Sequence, residues 1–151
     1  MEIGIEKYSQ QLIDDIKPLL ELHYQELTLH KEHIKLDPDW KKYETLANAN
    51  NLAVITARDN GILVGYSVFF ITNHMHYKQN KMAMNDVLFL HPDYRKGMTG
   101  IKLIKESERA LLNLGVIKII WHIKFAKDFR SILYRMGYVD EDAIVGKILK
   151  D

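Results

Sequence analysis

The chain has 151 residues, of which 47% are hydrophobic and 27% charged, and it contains no cysteine. These proportions are ordinary for a globular protein, and the length suits one domain spanning residues 1–151. The lack of cysteine excludes disulfides, thiolate-bound zinc, iron–sulfur clusters and a thiol nucleophile. The longest apolar run, Ile62 to Ile71, is too short to cross a bilayer, and the first residues lack the pattern of a signal peptide. We therefore expect a soluble, cytoplasmic protein without membrane contact.

The charge distribution is uneven although the formal net charge is only +1. A balance so close to neutral argues against a general nucleic-acid-binding protein. Residues 1–50 hold six Lys or Arg against ten Asp or Glu, whereas residues 51–151 hold fifteen against ten. A basic second part is compatible with an anionic ligand there, but charges spread by chance over solvated faces explain the imbalance equally well.

The first half of the chain reads as two helices followed by a hairpin. Apolar residues recur every three or four positions over 9–26, which predicts an amphipathic helix that starts late or kinks at Pro18. A weaker helix is predicted over 40–48. Two runs rich in Val, Ile and Phe, at 51–57 and 62–72, flank Asn60-Gly61, and this dipeptide is a strong signal for a hairpin turn.

The second half predicts a crossover unit. In chain order its predicted elements are a polar loop (73–81), a strand (82–90), a loop (91–99), a helix (100–114), a strand (116–125), a short helix (127–136) and two last strands (138–140 and 143–149). Strand, helix and strand over 82–125 predict parallel strands with a right-handed connection. The fold class is therefore α+β, with a mixed, mostly antiparallel sheet, a parallel βαβ unit and flanking helices.

The most informative segment is the loop of the crossover unit, His91-Pro92-Asp93-Tyr94-Arg95-Lys96-Gly97-Met98-Thr99-Gly100. It connects a strand to a helix N-terminus, where free amide groups and the helix dipole favour an anion such as phosphate. Two adjacent cations supply a counter-charge. The spacing fits neither a Walker loop nor the Rossmann glycine pattern. Taken alone, the loop fits two interpretations equally well: a phosphate site, or an ordinary glycine-bearing connection with cations on the surface.

The order of elements, together with Leu133-Tyr134-Arg135-Met136-Gly137-Tyr138 near the end, resembles the GNAT superfamily of N-acyltransferases. The family signature is Gln/Arg-x-x-Gly-x-Gly/Ala. Arg95 takes its first place and Gly100 its last, while Met98 stands where the middle glycine is expected. The resemblance is firmest from Asp86 to Tyr138. It implies a GNAT-like three-layer domain that uses acetyl-coenzyme A, or another acyl-coenzyme A, as co-substrate.

The resemblance also implies where the coenzyme lies, namely in a cleft between the strands at 82–90 and 116–125. Its phosphates are expected on the loop residues Arg95, Lys96, Gly97, Met98, Thr99 and Gly100. Backbone amides of Leu88, Phe89 and Leu90 are expected to face the acyl and pantetheine portions, as an added strand pairs with an edge. Lys127 falls near the place of an asparagine of the family, and a cation there is expected to reach a phosphate.

The reaction that the family implies is direct attack by a primary amine on the thioester carbonyl. An amine with a pKa of about 10.4 needs a base to become nucleophilic at neutral pH. Asp86 is the first candidate and His91 the second, although a solvent-facing aspartate at a strand end is an equal reading. Tyr134 matches the tyrosine that protonates the departing thiolate in many members, and a packed core tyrosine is the alternative.

Other functions stay open at this point. One is a non-catalytic acyl-coenzyme A-binding or virion-type interaction module, which Met98 in the glycine place favours. Another is a toxin that acylates aminoacyl-tRNA, which the near-neutral charge disfavours. The acceptor, an amine on a small molecule or a protein, is expected between the N-terminal helices and the last hairpin, and strand-mediated dimerisation is open. The histidine pairs 30/33 and 74/76 lack a third ligand, so no metal site is predicted.

Overall fold

The computed structural model describes residues 1–150, with the backbone alone for Leu27. The strands are β1 (Glu2–Glu6), β2 (Leu52–Asp59), β3 (Ile62–His74), β4 (Tyr77–Leu90) and β5 (Lys118–Ile120), and the helices are α1 (Gln10–Leu27), α2 (Trp40–Asn48), α3 (Thr99–Asn113) and α4 (Arg130–Arg135). One sheet holds the five strands in chain order. The first four are antiparallel and β5 runs parallel to β4, so the predicted α+β class is confirmed.

Local signals set the boundaries of the two N-terminal helices. Ser9 caps α1 by accepting a hydrogen bond from the Leu12 amide at 3.1 Å. Asp39 caps α2 in the same way, with 3.0 Å to the Lys42 amide. Helix α1 begins at Gln10 and continues through Pro18, so the expected late start is wrong. The exposed face of the helix tolerates the proline ring at this position.

The two faces of the sheet are covered by different helices. On one face, which we call the α3 face, Ile55 and Phe69 pack against Leu103 and Leu111 of α3. The opposite α1/α2 face carries Val54, Tyr66, Val68 and Phe89, which pack against α1 and, at the edge, α2. Successive strand residues point to opposite faces, so each central strand contributes side chains to both cores. The result is three layers, as predicted.

The turn between β2 and β3 confirms the hairpin signal, since Asn60 and Gly61 both have positive φ angles, 50° and 82°. The polar loop expected over 73–81 is wrong. Strands β3 and β4 continue through this stretch as a two-stranded ribbon that turns at Met75 and His76. Backbone hydrogen bonds form whatever the side chains are, so polar residues do not prevent pairing where both faces of a ribbon meet water.

The edge strand β1 has no counterpart among the predicted elements. It pairs with β2 and is tied to it by charge, because Arg58 contacts Glu6 of β1 and Asp15 of α1 at 2.8 and 2.9 Å. Glu6 also accepts a hydrogen bond from the Thr56 hydroxyl at 2.7 Å. This partly buried ion-pair network fastens the first strand and the first helix to the sheet.

The region after α3 departs most from the predicted elements. Helix α3 ends as expected before Gly115, but the strand predicted over 116–125 pairs only at β5. The short helix predicted over 127–136 is a 3-10 turn, Phe125–Lys127, followed by α4. The two last strands are wrong, because residues 138–150 form no regular structure. Apolar residues such as Ile144 and Leu149 remain exposed, since this segment pairs with no strand.

In the described part of the chain, no helix combines the length and the hydropathy that crossing a bilayer needs.

Candidate active site

A β-bulge in β4 shapes the centre of the site. Val68 of β3 pairs with Val87, but the next residue, Phe69, pairs with Asn85, so Asp86 is the extra residue. The Asn85 amide group holds this kink by donating to the carbonyls of Val68 and Val87, at 3.2 and 3.0 Å. A regular strand points consecutive side chains to opposite faces. The bulge lets Asp86 and Val87 both face the α1/α2 side.

Asp86 forms one short side-chain hydrogen bond there. The Tyr43 hydroxyl of α2 donates to its carboxylate at 2.6 Å. Burial raises the pKa of Asp86 above its usual range, and the hydrogen bond from Tyr43 opposes part of that increase. The pKa of Tyr43 is raised in turn, by burial first and by the hydrogen bond to Asp86 second. The pair therefore consists of a carboxylate with increased basicity and a phenol that stays protonated.

This carboxylate lines a cavity of about 290 Å³ between the sheet and the two N-terminal helices. Its walls are mostly aliphatic and aromatic, and include Leu12, Ile16, Trp40, Val54 and Val68. The exposed segment 34–38, which connects α1 to α2, forms the mouth. The Tyr24 hydroxyl donates to the Ile34 carbonyl at 2.7 Å and so fastens this mouth to α1. A cavity of this size is at the lower end of the range for small-molecule sites.

The wall also contains a buried hydroxyl without a partner. Tyr66 is only 1% exposed, and its oxygen makes no hydrogen bond to any described residue. Burial raises its pKa first, and the charge of Asp86 adds to the increase. An unpaired buried hydroxyl is unusual in a folded protein, because its desolvation is not compensated. The oxygen is also closed off from solvent, so the hydroxyl itself is not exposed to the cavity space.

Beyond Met84, β4 and β5 separate. Parallel pairing joins only Met82–Met84 to Lys118–Ile120, after which Trp121 packs into the core against Phe69 at a ring distance of 5.1 Å. Among the described residues, β4 from Asn85 to Leu90 is therefore paired with β3 alone. This leaves one edge of the strand, beside the bulge, with backbone groups available to an extended ligand.

The loop after β4 leads to the N-terminus of α3. Gly97 has a φ of +96°, whereas Met98 is in the right-handed region and is 54% exposed. The left-handed position therefore falls on Gly97, one residue before the place of the family's middle glycine. Residue 98 does not need the conformational freedom of glycine. Met98 is the N-cap and provides no side-chain hydrogen bond. The first amides of α3 consequently lack a cap and can face an anion.

The cations of this loop differ in their surroundings. The Arg95 guanidinium contacts both carboxylate oxygens of Glu26 of α1, at 3.0 and 2.8 Å, and donates to the Leu90 carbonyl. It also lies 5.4 Å from the ring centre of Phe89. Lys96 is exposed and, within residues 1–150, forms none of the ion pairs. Arg95 therefore fixes the loop against α1, while Lys96 points to solvent.

The chain after β5 returns to the same corner of the molecule. The turn that carries Lys127 contacts α1. Lys124 and Arg95 both lie near enough to His23 to lower its pKa, although burial is the larger cause and Glu26 opposes it. Two cations from separate loops, one after β4 and one after β5, thus lie near His23. Lys127 is exposed at this turn.

Comparison with known proteins identifies the fold and the family. The family model described as Acetyltransferase (GNAT) family matches residues 14–138. The chain belongs to the acetyltransferase (GNAT) family. No curated protein is similar enough in sequence to be counted as a relative. The enzyme class, the coenzyme and the GNAT fold expected from the sequence are thereby confirmed.

Solved structures agree in fold at low sequence identity. A ribosomal-protein-alanine N-acetyltransferase from Brucella melitensis biovar Abortus 2308 is 18% identical, with 98% of this chain and 99% of that chain covered and a TM-score of 0.70. An aminoglycoside acetyltransferase from an uncultured soil metagenomic sample is 17% identical, with 98% and 97% covered and a TM-score of 0.72. A transcriptional regulator from Bacillus halodurans C-125 is 14% identical, with 98% and 100% covered and a TM-score of 0.76.

Tyr134 of the acetyltransferase lies apart from the Asp86 cavity. It is on α4, 46% exposed, and lines a small cleft with Asp128, Arg130 and Ser131. Its hydroxyl donates to the Asp140 carboxylate at 2.8 and 2.9 Å. That hydrogen bond is the main cause of its raised pKa, so the phenol remains protonated at neutral pH. For the role predicted for Tyr134, its hydroxyl must release the Asp140 carboxylate and donate its hydrogen bond to the leaving sulfur instead.

Several features of the acetyltransferase site have no local signal in the sequence. Tyr43 and Asp86 are 43 positions apart, and nothing near either residue indicates their contact. Tyr66 reads as an ordinary apolar strand residue, and Glu26 as a solvated helix residue. The candidate base His91 caps the turn at Pro92–Tyr94, where its ring accepts a hydrogen bond from the Asp93 amide, and it is not among the residues that line the Asp86 cavity. In the described part of the chain, no three potential ligands converge as a metal site.

Proposed function

We propose that this acetyltransferase transfers the acetyl group of acetyl-coenzyme A directly to a primary amine, as one N-acyltransferase domain over residues 1–151. The amine nitrogen attacks the thioester carbonyl, a C–N bond forms, and the C–S bond breaks. The amine proton goes to Asp86, directly or through a water, and the coenzyme thiolate takes a proton from Tyr134. Exchange with solvent then restores both side chains.

The observation that carries this proposal is the separation of β4 and β5 immediately beside the bulge. The backbone of Leu88, Phe89 and Leu90 has no strand on its second edge, where a pantetheine arm can pair as an added strand does. The Leu90 carbonyl already accepts from Arg95, so the groups left for this pairing are the other backbone groups of the edge. Asp86 precedes this edge and opens into the cavity on the α1/α2 face. A thioester placed along the edge therefore lies close to a carboxylate that can receive a proton.

The coenzyme phosphates are assigned to the loop from Arg95 to Gly100. Support comes from the uncapped amides at the start of α3, from the exposed Lys96, and from the positive φ of Gly97 that turns the loop. Arg95 serves the phosphate site in two ways, by its charge and by fixing the loop to Glu26. Lys127 is assigned to the same anion, since its turn lies beside α1.

The acid and base roles rest on two groups with different surroundings. Burial makes the Asp86 carboxylate a stronger base than an exposed aspartate, and Tyr43 keeps part of it ionised. The hydrogen bond to Asp140 keeps Tyr134 protonated and therefore able to donate. The two groups line different cavities, so proton removal and proton donation are assigned to separate places.

Two substitutions separate coenzyme binding from turnover. Arg95→Ala is expected to weaken acetyl-coenzyme A binding roughly 3- to 10-fold, since one partly exposed cation and the anchoring of the loop are lost. Tyr134→Phe is expected to lower kcat at least roughly 100-fold with little change in coenzyme binding, because only the proton donor is removed. Isothermal titration calorimetry measures the first effect and steady-state kinetics the second.

Matched controls are available elsewhere on the surface. Arg109 forms a similar ion pair with Glu106 on the exposed side of α3, and Tyr77 is an exposed tyrosine at the β3–β4 turn. Arg109→Ala and Tyr77→Phe are expected to leave coenzyme binding and kcat unchanged. Absence of binding by the unaltered protein at millimolar acetyl-coenzyme A contradicts the proposal. Identical effects of Arg95→Ala and Tyr134→Phe contradict the division of roles.

A further inference from the structure

The wall of the Asp86 cavity restricts the kind of amine that can enter it. Aliphatic side chains from α1 and from three strands make up most of the surface, and Trp40 and Tyr43 add aromatic area. Charged residues other than Asp86 are confined to the mouth, where Lys35 and Asp37 are both exposed. A ligand inside therefore meets one negative charge in otherwise apolar surroundings.

The hydroxyl groups of the other cavity tyrosines already have partners. Tyr8 donates to the Trp40 carbonyl at 2.9 Å, Tyr24 to the Ile34 carbonyl and Tyr43 to Asp86. Tyr66 differs, because its buried hydroxyl has no partner in residues 1–150. That oxygen is itself closed off from the cavity space, so the charged group that a ligand inside the cavity meets is the Asp86 carboxylate.

This carboxylate suits a single cationic nitrogen. A primary ammonium has N–H donors, which the Asp86 carboxylate can accept at the lone pairs that Tyr43 does not use. Aromatic rings around a cation add a favourable interaction with their faces. The rest of the ligand must then lie against Leu12, Ile16, Val54 and Val68, none of which can form a hydrogen bond.

We propose that the acceptor is a primary monoamine with an apolar or aromatic body, held by Asp86 in the cavity under α1 and α2. This inference rests on the proposed amine acetylation and specifies the substrate class. The proposed class differs from the aminoglycosides after which one structural neighbour is named, since those amines are polyhydroxylated and polycationic. In this cavity each additional hydroxyl or ammonium group loses its water without gaining a partner.

A panel of amines tests the substrate class. 2-Phenylethylamine represents the proposed class, and spermidine, kanamycin and a peptide with a free N-terminal alanine represent the alternatives. Released coenzyme A can be followed with a thiol reagent without background from the protein, since the chain has no cysteine. We expect kcat/KM for 2-phenylethylamine to exceed the others at least roughly tenfold, as each unpaired buried polar group costs that much. Equal or better use of any alternative overturns the inference.

Two variants test the cavity itself. Leu20→Trp on the cavity side of α1 is expected to abolish the use of 2-phenylethylamine by filling the space, without changing acetyl-coenzyme A binding. The matched control is Leu22→Trp on the exposed side of the same helix.

A direct binding measurement keeps the inference testable without turnover. Trp40 lies in the cavity wall, so 2-phenylethylamine is expected to change the tryptophan fluorescence of the unaltered protein and not that of Leu20→Trp. Normal acetyl-coenzyme A binding with no amine signal overturns the substrate class and leaves the coenzyme site standing. An amine signal without coenzyme binding contradicts the proposed function and supports the cavity assignment.

Discussion

The two faces of the sheet use the same strands for different purposes. On the α3 face, Ile55, Phe69, Leu103 and Leu111 are completely buried and pack together in one core cluster. On the α1/α2 face, the side chains of the same strands surround a space of about 290 Å³. Close packing contributes to stability, whereas a binding site requires that some packing be given up.

Two neighbouring residues of β4 illustrate the same difference. Asn85 is buried and its amide group is satisfied by the carbonyls around the bulge. Asp86 is next to it but turns to the cavity, where burial raises the pKa of its carboxylate. The first residue holds the backbone and the second is free to react. Substitutions on either face should therefore separate loss of stability from loss of activity.

The largest expected effect is on activity, at the open face. Asp86→Asn removes the proposed base and retains an oxygen that can accept from Tyr43, so kcat/KM is expected to fall roughly 10²- to 10⁴-fold. Stability is expected to change in the opposite direction. Because burial raises the pKa of Asp86 in the folded state, the ionised carboxylate is unfavourable at neutral pH and the Asn variant should be more stable there.

The pH dependence checks the sign of this stability difference. The difference between the two proteins should shrink as the pH falls through the raised pKa of Asp86, and should vanish below its usual pKa of about 3.8. Chemical denaturation at several pH values measures it. A variant that is less stable than the unaltered protein at neutral pH contradicts the buried, ionised carboxylate.

The next effect is on stability, at the closed face. Phe69→Ala removes a fully buried ring that packs edge-on against Trp121, and is expected to lower the free energy of unfolding by about 3–5 kcal/mol. Met75→Ala at the exposed β3–β4 turn is the control and should change it by no more than about 0.5 kcal/mol. Urea denaturation followed by circular dichroism provides both values. A cost for Phe69→Ala close to that of the control means that the α3 face is not tightly packed.

The smallest expected effect is a shift in the pKa of the proposed base, Asp86. Tyr43→Phe removes the hydrogen bond that favours the ionised form of Asp86, so the pKa of Asp86 should rise further. The acid limb of the kcat/KM profile is then expected to move to higher pH by up to roughly one unit. Tyr77→Phe should not move it. An unchanged acid limb in Tyr43→Phe means that another group limits the rate at low pH.

The sequence predicted those parts of the fold that depend on neighbours along the chain. Ser9 and Asp39 begin helices because their side chains satisfy amides three residues later, and Asn60-Gly61 forms a hairpin because both residues accept a positive φ. The crossover unit followed from periodicity and from the glycine after α3. The predicted last strands failed because a strand also needs a partner edge, which no local pattern specifies.

The sequence by itself thus determined the helices, the hairpin, the strand-to-helix loop and the family to which they belong, since each depends on spacing within a few residues. Only the tertiary structure decided that a bulge turns Asp86 towards Tyr43, that Arg95 meets Glu26, and that Tyr66 has no partner in a cavity wall. Each of these arrangements involves residues tens of positions apart, and burial, which changes their pKa values and their reactivity, exists only after the layers have packed.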